Sequence, residues 1–346
     1  MQLPHIPDYD FHSAESVKQR QDTLTKPTGS LGRLESLSIQ LAGICGVSRP
    51  SFPRKAVVVM AGDHGVTADG ISAYPADVTQ QMVLNFLRGG AAINVLARQA
   101  DARVIVVDIG VAADFEHIAG LLHKKIAMGT QNMRTGPAMT RQQAEQSIQV
   151  GMDVVEGEIA KGLDLLAVGE MGIGNTTPSS AITALYTAQS VRLVTGRGTG
   201  LDETSFLHKV EVIEQSLVAN KPEPEDPIDV LSKVGGFEIG GLAGLILGAA
   251  SHRQPVVLDG FISGAAALLA VKLEPRVNPF LIASHRSVEA GHRAILDYLG
   301  LRPLLDLDLR LGEGTGAALA FHLIDAAVNT LNDMATFSEA GVSGKE

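Results

Sequence analysis

The chain has 346 residues, of which 45% are apolar and 19% are charged, and its formal net charge is −10 at pH 7. This apolar content suffices for one large core and a smaller satellite unit. The negative charge argues against a nucleic-acid groove or an anionic membrane surface as a partner, and the single cysteine, Cys45, excludes an intrachain disulfide and a cysteine-based metal cluster.

No membrane or secretion signal is evident in the sequence. Residues 1–8 lack a basic head followed by an apolar core, and the most apolar stretch, 239–250, is too short to span a bilayer. We therefore expect a soluble cytoplasmic protein. Gly240, Gly244 and Gly248 recur every four residues in that stretch, which predicts a buried helix that another helix approaches closely.

In chain order, helical patterns come first and are followed by an alternation of strands and helices. The first fifty residues have helical periodicity at 13–24 and 31–45. Six apolar segments of strand length then precede polar or glycine-rich turns, at 57–60, 103–107, 163–168, 255–258, 279–282 and 304–311. Helical periodicity is clearest at 78–99, 140–161, 179–189, 203–217, 239–251, 264–271, 287–299 and 315–331.

This alternation predicts an α/β fold with a mostly parallel, doubly wound (Rossmann-like) sheet flanked by helices. We expect residues 1–50 and about 315–346 to form a small helical domain, and residues 51–314 to form the large α/β domain. Ligands of such sheets bind outside the carboxyl ends of the strands. The turns after the predicted strands should therefore converge on one rim.

The turn after the last predicted strand places one carboxylate between glycines, in the segment L-R-L-G-E-G-T-G. Gly312 and Gly314 give this turn conformational freedom and leave open space around Glu313. A glutamate in such a place can accept a proton if its surroundings raise its pKa. The alternative interpretation is an ordinary solvated turn glutamate.

A second glycine-rich turn, G-E-M-G-I-G-N-T-T-P at 169–178, has the features of an anion site. Gly172 and Gly174 let backbone amides turn toward an anion, and the amides at a helix N-terminus bind phosphate. Thr176 or Thr177 could equally cap an ordinary helix. Glu170 in the same turn suggests a further task, such as binding sugar hydroxyls or facing a cationic centre.

Other polar residues follow strands without a specific motif. The turn G-R-G-T-G at 196–200 resembles the previous one, and Lys209 on the next helix could reach a phosphate or lie in solvent. The pair Asp63 and His64, and Asp259, also follow strands. The spacing of His285 and His292 does not match a familiar zinc site, so we expect neither a metal nor a cofactor.

Taken together, these segments resemble those of the nicotinate-nucleotide–dimethylbenzimidazole phosphoribosyltransferases. The resemblance rests on K-P-T-G-S-L-G-R-L-E, A-G-D-H-G-V, G-E-M-G-I-G-N-T-T, G-R-G-T-G, G-G-F-E-I-G-G, D-G-F-I-S-G, S-H-R-S-x-E-x-G and L-G-E-G-T-G, which run in order from about residue 26 to about residue 335. It implies transfer of the phosphoribosyl group of nicotinate mononucleotide to 5,6-dimethylbenzimidazole, giving α-ribazole 5′-phosphate and nicotinate.

The resemblance also implies roles for individual residues. Glu313 matches the family's general base, and Glu170 matches its second important glutamate. The segments that hold the nucleotide contain Gly172, Gly174, Asn175, Thr176, Gly198, Lys209, Asp259, Ser287 and Gly312. Residues 73–82, with Tyr74 and Met82, correspond to the benzimidazole pocket, where family members vary. The family is homodimeric, and each pocket is partly closed by the partner's small domain.

Two other functions fit the same residues. The pocket could admit water and act as a nicotinate mononucleotide nucleosidase, although apolar residues near the proposed acceptor pocket, such as Ile71 and Met82, favour an aromatic acceptor. Alternatively, the protein could be a non-catalytic nucleotide sensor, which would tolerate loss of the Glu313 carboxylate. The sequence does not identify the preferred acceptor base.

Overall fold

A computed structural model describes residues 1–115, 118–197, 200 and 202–343. Its strands are β1 (Lys55–Gly62), β2 (Ala102–Gly110), β3 (Leu121–His123), β4 (Leu165–Met171), β5 (Val256–Leu258) and β6 (Leu281–Ala283). Its helices are α1 (Phe11–Thr23), α2 (Arg33–Cys45), α3 (Asp77–Leu87), α4 (Ala92–Gln99), α5 (Arg141–Ala160), α6 (Thr176–Thr187), α7 (Val191–Val194), α8 (Glu203–Asn220), α9 (Pro227–Val234), α10 (Phe237–Ser251), α11 (Phe261–Leu273), α12 (Ala290–Leu299), α13 (Thr315–Asp333) and α14 (Phe337–Ala340).

The six strands form one parallel sheet in the order β3-β2-β1-β4-β5-β6. This is the order of a doubly wound sheet, and it reverses direction between β1 and β4. Met60 of β1 lies beside Glu170 of β4. The predicted α/β fold is confirmed, and the turns after β1 and β4 occupy the crevice where such sheets bind ligands.

The two faces of the sheet are covered by different helices. Val58, Met60 and Val168 belong to a core with α5, α6, α9, α10 and α11, whereas Val57 and Val59 belong to a core with α2, α4 and α13. Strand side chains alternate between faces, and both faces are buried, which explains the continuous apolar runs.

The glycines of α10 let α5 pack closely against it, as predicted. A Cβ atom at Gly244 would lie 2.0 Å from the carbonyl oxygen of Ile148, and one at Gly240 would lie 1.9 Å from the hydroxyl of Ser147. Both neighbours belong to α5. Any larger side chain would therefore force the two helices apart.

Two predictions about individual elements were wrong, and one strand was not predicted. Residues 304–311, all of which the structure describes, form only an isolated bridge between His285 and Leu305; Leu307 and Leu311 are exposed because no neighbouring strand covers them. The sixth strand is instead β3, at the opposite edge of the sheet from β6, and it is too short to show an apolar pattern. The predicted helix 78–99 is interrupted by Gly89 and Gly90, where Gly89 has a φ of +77°.

Helices from the two ends of the chain pack together. Helices α1 and α2 contact each other and α13, and α13 also contacts β4, β5 and α4. The division into a small domain (1–50 plus about 315–346) and a large domain (51–314) stays a prediction. No helix in the described part of the chain is long and apolar enough to cross a bilayer.

Candidate active site

A cavity of about 670 Å³ opens at the carboxyl ends of β4, β5 and β6. Most of the predicted site residues line it, although they come from distant segments of the chain: Tyr74, Met82, Glu170, Gly172, Gly174, Asn175, Thr176, Lys209, Ser287, Gly312 and Glu313. Gly198 falls outside the described residues. The turns after β4, β5 and β6 and the Glu313 turn therefore share one cavity, as predicted, together with residues between 71 and 82. The turns directly after β1 and β2, at 61–65 and 108–110, do not line it, and Asp259 lies behind its wall.

Glu313 is held in a turn of unusual backbone conformation. Gly312, Glu313 and Gly314 have φ angles of +85°, +64° and +92°, a region that glycine adopts freely and that costs a glutamate about 1–2 kcal/mol. The Glu313 Oε2 atom accepts one hydrogen bond of 3.3 Å, from the backbone N–H of Ile93 in the first turn of α4. Burial raises the pKa of the Glu313 carboxyl, and this hydrogen bond opposes the rise.

The Glu313 turn lies directly against the end of β4. A Cβ atom at Gly169 would lie 2.4 Å from the carbonyl oxygen of Glu313, and one at Gly312 would lie 2.3 Å from Glu170 Oε1. Residues 313 and 170 are thus neighbours, although 142 positions separate them in the sequence. The two glycines make this approach possible because they have no side chain.

Glu170 is buried among other carboxyl groups. Burial, followed by the charges of Asp259 and Glu238, raises its pKa to about 8, and a hydrogen bond from the Asn175 side-chain amide opposes the rise. An acid with this pKa is mostly neutral near pH 7. A cationic ligand beside Glu170 would favour its ionised form.

Asp259 supports the Glu313 turn from behind the cavity wall. Its Oδ1 accepts hydrogen bonds from the backbone N–H groups of Gly316 (2.7 Å) and Ala317 (3.2 Å), and its Oδ2 accepts one from Gly314 (3.1 Å). Burial raises its pKa to about 7. Asp259 thereby holds the start of α13, and its predicted contact with the nucleotide stays a prediction.

Hydrogen-bond donors lie in the cavity at the start of α6. Helix α6 begins at Thr176, and no side chain of a described residue caps it; the predicted capping by Thr176 or Thr177 was therefore wrong. Instead, the Thr176 hydroxyl accepts a 2.6 Å hydrogen bond from Lys209 Nζ. Lys209 is 1% exposed, not solvated, and burial lowers its pKa to about 8.

Apolar side chains line the same cavity. Ile71, Val78, Met82, Leu309 and Leu311 line it, together with Tyr74. Tyr74 and Leu311 are 52% and 57% exposed, so the mouth of the cavity presents apolar surface to solvent. A flat aromatic ring fits such walls by burying apolar area.

Sequence reasoning did not assign a site role to several residues that lie in or beneath the cavity. His285, Glu289 and Arg310 line it. His64 lies beneath Gly172 and forms a buried 2.8 Å ion pair with Glu238. The motif S-H-R-S-x-E-x-G contained Glu289, but only the fold shows that its side chain reaches the cavity.

Comparisons with known proteins agree with this geometry. A family model described as Phosphoribosyltransferase matches residues 6–342. The nicotinate-nucleotide–dimethylbenzimidazole phosphoribosyltransferase of Chloroflexus aggregans is 59% identical over 99% of the chain and 98% of its own length. That of Roseiflexus castenholzii is 58% identical over 99% of the chain and 97% of its own length.

The fold comparison gives the same result. The crystal structure of CobT from Thermus thermophilus matches with a TM-score of 0.93 and 48% identity, and the match covers 96% of this chain and 99% of that one. Identity at this level over nearly the whole of both chains is far above what a shared fold alone would give. The chain therefore belongs to the nicotinate-nucleotide–dimethylbenzimidazole phosphoribosyltransferase family.

Proposed function

We propose that the protein transfers the 5-phosphoribosyl group of nicotinate mononucleotide to 5,6-dimethylbenzimidazole, a step in assembly of the lower ligand of cobalamin. The observation that carries this proposal is the position of the Glu313 carboxylate, in one cavity with an apolar wall and hydrogen-bond donors at the start of α6. A phosphoribosyl group joined to one aromatic base and attacked by another needs these three features together.

The phosphate of the mononucleotide binds at the start of α6. The Lys209 ammonium, the Thr176 hydroxyl and the Ser287 hydroxyl are donors suited to a phosphate, and the positive end of the α6 helix dipole adds to their attraction. Binding energy from the phosphate orients the anomeric carbon for reaction. The acceptor ring binds at the opposite side, between Tyr74, Met82 and Leu311.

The reaction is a single displacement. The bond from C1′ to the nicotinate ring nitrogen breaks, and the electron pair leaves with a neutral pyridine nitrogen, so no general acid is needed. A benzimidazole nitrogen forms the new bond to C1′ on the opposite face, which inverts the configuration from β to α. The other benzimidazole nitrogen gives its proton to Glu313, whose raised pKa suits a general base.

Glu170 faces the positive charge of the bound nucleotide. The pyridinium of the substrate, and then the charge that develops at C1′, favour the ionised form of this carboxyl over its neutral form. Asn175 donates a hydrogen bond to it and holds its orientation. Glu170 therefore stabilises the charge that forms as the bond to nicotinate breaks.

Incubation with nicotinate mononucleotide, with and without dimethylbenzimidazole, tests this function. We expect α-ribazole 5′-phosphate by mass spectrometry only when the base is present, and little ribose 5-phosphate in its absence. Release of ribose 5-phosphate without the base would establish a nucleosidase, and binding without turnover would establish a sensor. A panel of benzimidazoles, adenine and phenols identifies the acceptor.

We further propose that the protein is a homodimer in which the partner covers the exposed apolar mouth of the cavity. Support comes from Tyr74 and Leu311, which are more than half exposed although they lie beside the substrate site. Light scattering should give twice the mass of one chain. A monomer with full activity would contradict this arrangement.

A further inference from the structure

Glu289 is a buried carboxylate that lines the cavity beside Lys209. It is 9% exposed, and its Oε2 atom accepts no hydrogen bond from any described residue. It stands at the N-cap position of α12, where a carboxylate commonly accepts helix N–H groups, but its side chain makes no such bond. Instead it lines the cavity with Lys209 and Ser287.

The neighbours of Glu289 leave its carboxylate available to a ligand. A Cβ atom at Gly196 would lie 1.8 Å from Glu289 Oε2, so the absence of a side chain at 196 makes room for it. The Ser287 hydroxyl accepts a hydrogen bond from the Glu289 backbone N–H, not from the carboxylate. Burial raises the pKa of Glu289, and the charges of Lys209 and Arg310 oppose the rise.

Two charged groups, from different elements, act on Glu289. Lys209 faces it from α8 and Arg310 from the segment before the Glu313 turn. On its own helix, His292 is neutral, because burial lowers its pKa to about 3 and its Nδ1 accepts a hydrogen bond from the Ser287 backbone. The turn before α8 contributes Gly196 beside the carboxylate and Arg197, which also lines the cavity and forms an ion pair with Glu203.

A carboxylate at this place poses a problem for a phosphate ligand. A phosphate monoester carries close to two negative charges above its second pKa of about 6, and a second buried anion repels it. One proton held between the two groups removes the repulsion and gives Glu289 the hydrogen bond that it lacks. Lys209 and the Thr176 hydroxyl at the start of α6 then bind the remaining charge.

We propose that Glu289 and the phosphate of the bound nucleotide share one proton, so that the site selects a phosphate monoester in its proton-carrying form. This inference rests on the proposed function, because it places the phosphate of the mononucleotide beside Glu289. The proton comes from solvent when the ligand binds and returns there when the product leaves. No covalent bond to carbon or phosphorus changes.

Isothermal titration with ribose 5-phosphate tests the inference directly. This probe carries the phosphate but no pyridinium, so it brings no positive charge to Glu170. Titration in buffers of different ionisation enthalpy should show uptake of about one proton between about pH 6.5 and about pH 8. Over that interval the Kd should rise about tenfold per pH unit.

The Glu289→Gln variant separates this role from a structural one. A glutamine amide donates a hydrogen bond to the phosphate dianion and needs no added proton, so the number of protons taken up on binding should fall by about one. For the same reason, the Kd of the variant near pH 8 should be lower than that of the unchanged protein. Glu211→Gln, on the exposed side of α8 and outside the cavity, is the matched control and should leave uptake unchanged.

Three results would overturn the inference. The first is no proton uptake by the unchanged protein, and the second is an unchanged pH dependence of the Kd in Glu289→Gln. The third is weaker binding by that variant, with a loss of affinity that increases above about pH 8. This last result would show that the Glu289 carboxylate only keeps Lys209 charged. The first result does not depend on how the variant folds. Proton uptake with ribose 5-phosphate but no transfer from nicotinate mononucleotide would refute the proposed reaction and leave this inference standing.

Discussion

Glu313 and Glu170 are neighbouring carboxyl groups at the carboxyl ends of the strands, but their backbone conformations and hydrogen bonds differ. Glu170 lies in a paired strand of ordinary geometry, and its side chain is bonded to Asn175. Glu313 lies in a turn of three left-handed residues that Asp259 holds from behind, and its carboxylate accepts a single long hydrogen bond.

The two glutamates differ in which part of the residue is held in place. The main chain of Glu313 is fixed by its turn while its oxygens remain available, which suits a group that must accept a proton from a ligand. The side chain of Glu170 is bonded and surrounded by acids, which suits a group whose charge responds to a cation. The same residue type is therefore prepared for two tasks by local structure.

The largest effect is expected from Glu313→Gln. The amide keeps the shape of the side chain but cannot accept the benzimidazole proton, so kcat should fall about 10²–10⁴-fold with little change in KM. Steady-state formation of α-ribazole 5′-phosphate measures both constants. If the variant turned over at a rate near that of the unchanged protein, Glu313 would not be the general base, and the proposed difference in role between the two glutamates would be wrong.

The same variant gives a pH test. The base must be unprotonated, so kcat of the unchanged protein should fall as the pH falls through the Glu313 pKa, which burial raises above its ordinary value. This acid limb should be missing in Glu313→Gln. An acid limb that persists in the variant belongs to another group.

Gly169→Ala tests whether the two glutamates depend on close contact between their segments. The new Cβ would lie 2.4 Å from a backbone oxygen of the Glu313 turn, which cannot move as a flexible side chain would. We expect a loss of about 1–3 kcal/mol in the free energy of unfolding and about a 10²-fold loss of kcat. Urea unfolding and kinetics measure these; destabilisation with full turnover would show that the turn tolerates displacement.

Asn175→Ala should have a smaller and pH-dependent effect. Loss of its hydrogen bond raises the Glu170 pKa further above about 8, and the ionised form is present only above that pKa. At about pH 7 we expect kcat/KM about tenfold below that of the unchanged protein, with the ratio recovering as the pH rises. This role would be contradicted if the ratio of kcat/KM between the variant and the unchanged protein did not change with pH. It would also be contradicted if Glu170→Gln, which has no carboxyl to ionise, showed the same recovery at high pH.

Gly157→Ala should have the smallest effect and serves as the control for Gly169→Ala. Gly157 lies within α5, and a Cβ there would have no neighbour within 4 Å. Alanine should stabilise the helix by about 0.5–1 kcal/mol without a change in kcat. If this variant also loses turnover, the effect of Gly169→Ala cannot be attributed to the Glu313 turn.

The sequence predicted most of the helices, because periodicity over ten or more residues is a strong signal. It was wrong where the pattern was short or had no partner: β3 is three residues long, and residues 304–311 look like a strand but have no strand beside them. Residue type alone left Lys209 either in contact with phosphate or in solvent, and the family resemblance predicted the contact. Only packing shows that this lysine is buried.

The sequence by itself determined the alternation of strands and helices, the glycines that allow close approach, and the motifs shared with the family, because these depend on residue type and local spacing. The tertiary structure alone decided which charges meet. It brought Glu170 beside Glu313, placed Asp259 behind their turn and brought Glu289 next to Lys209. Contacts between distant segments depend on sheet order and helix packing, which no local pattern records.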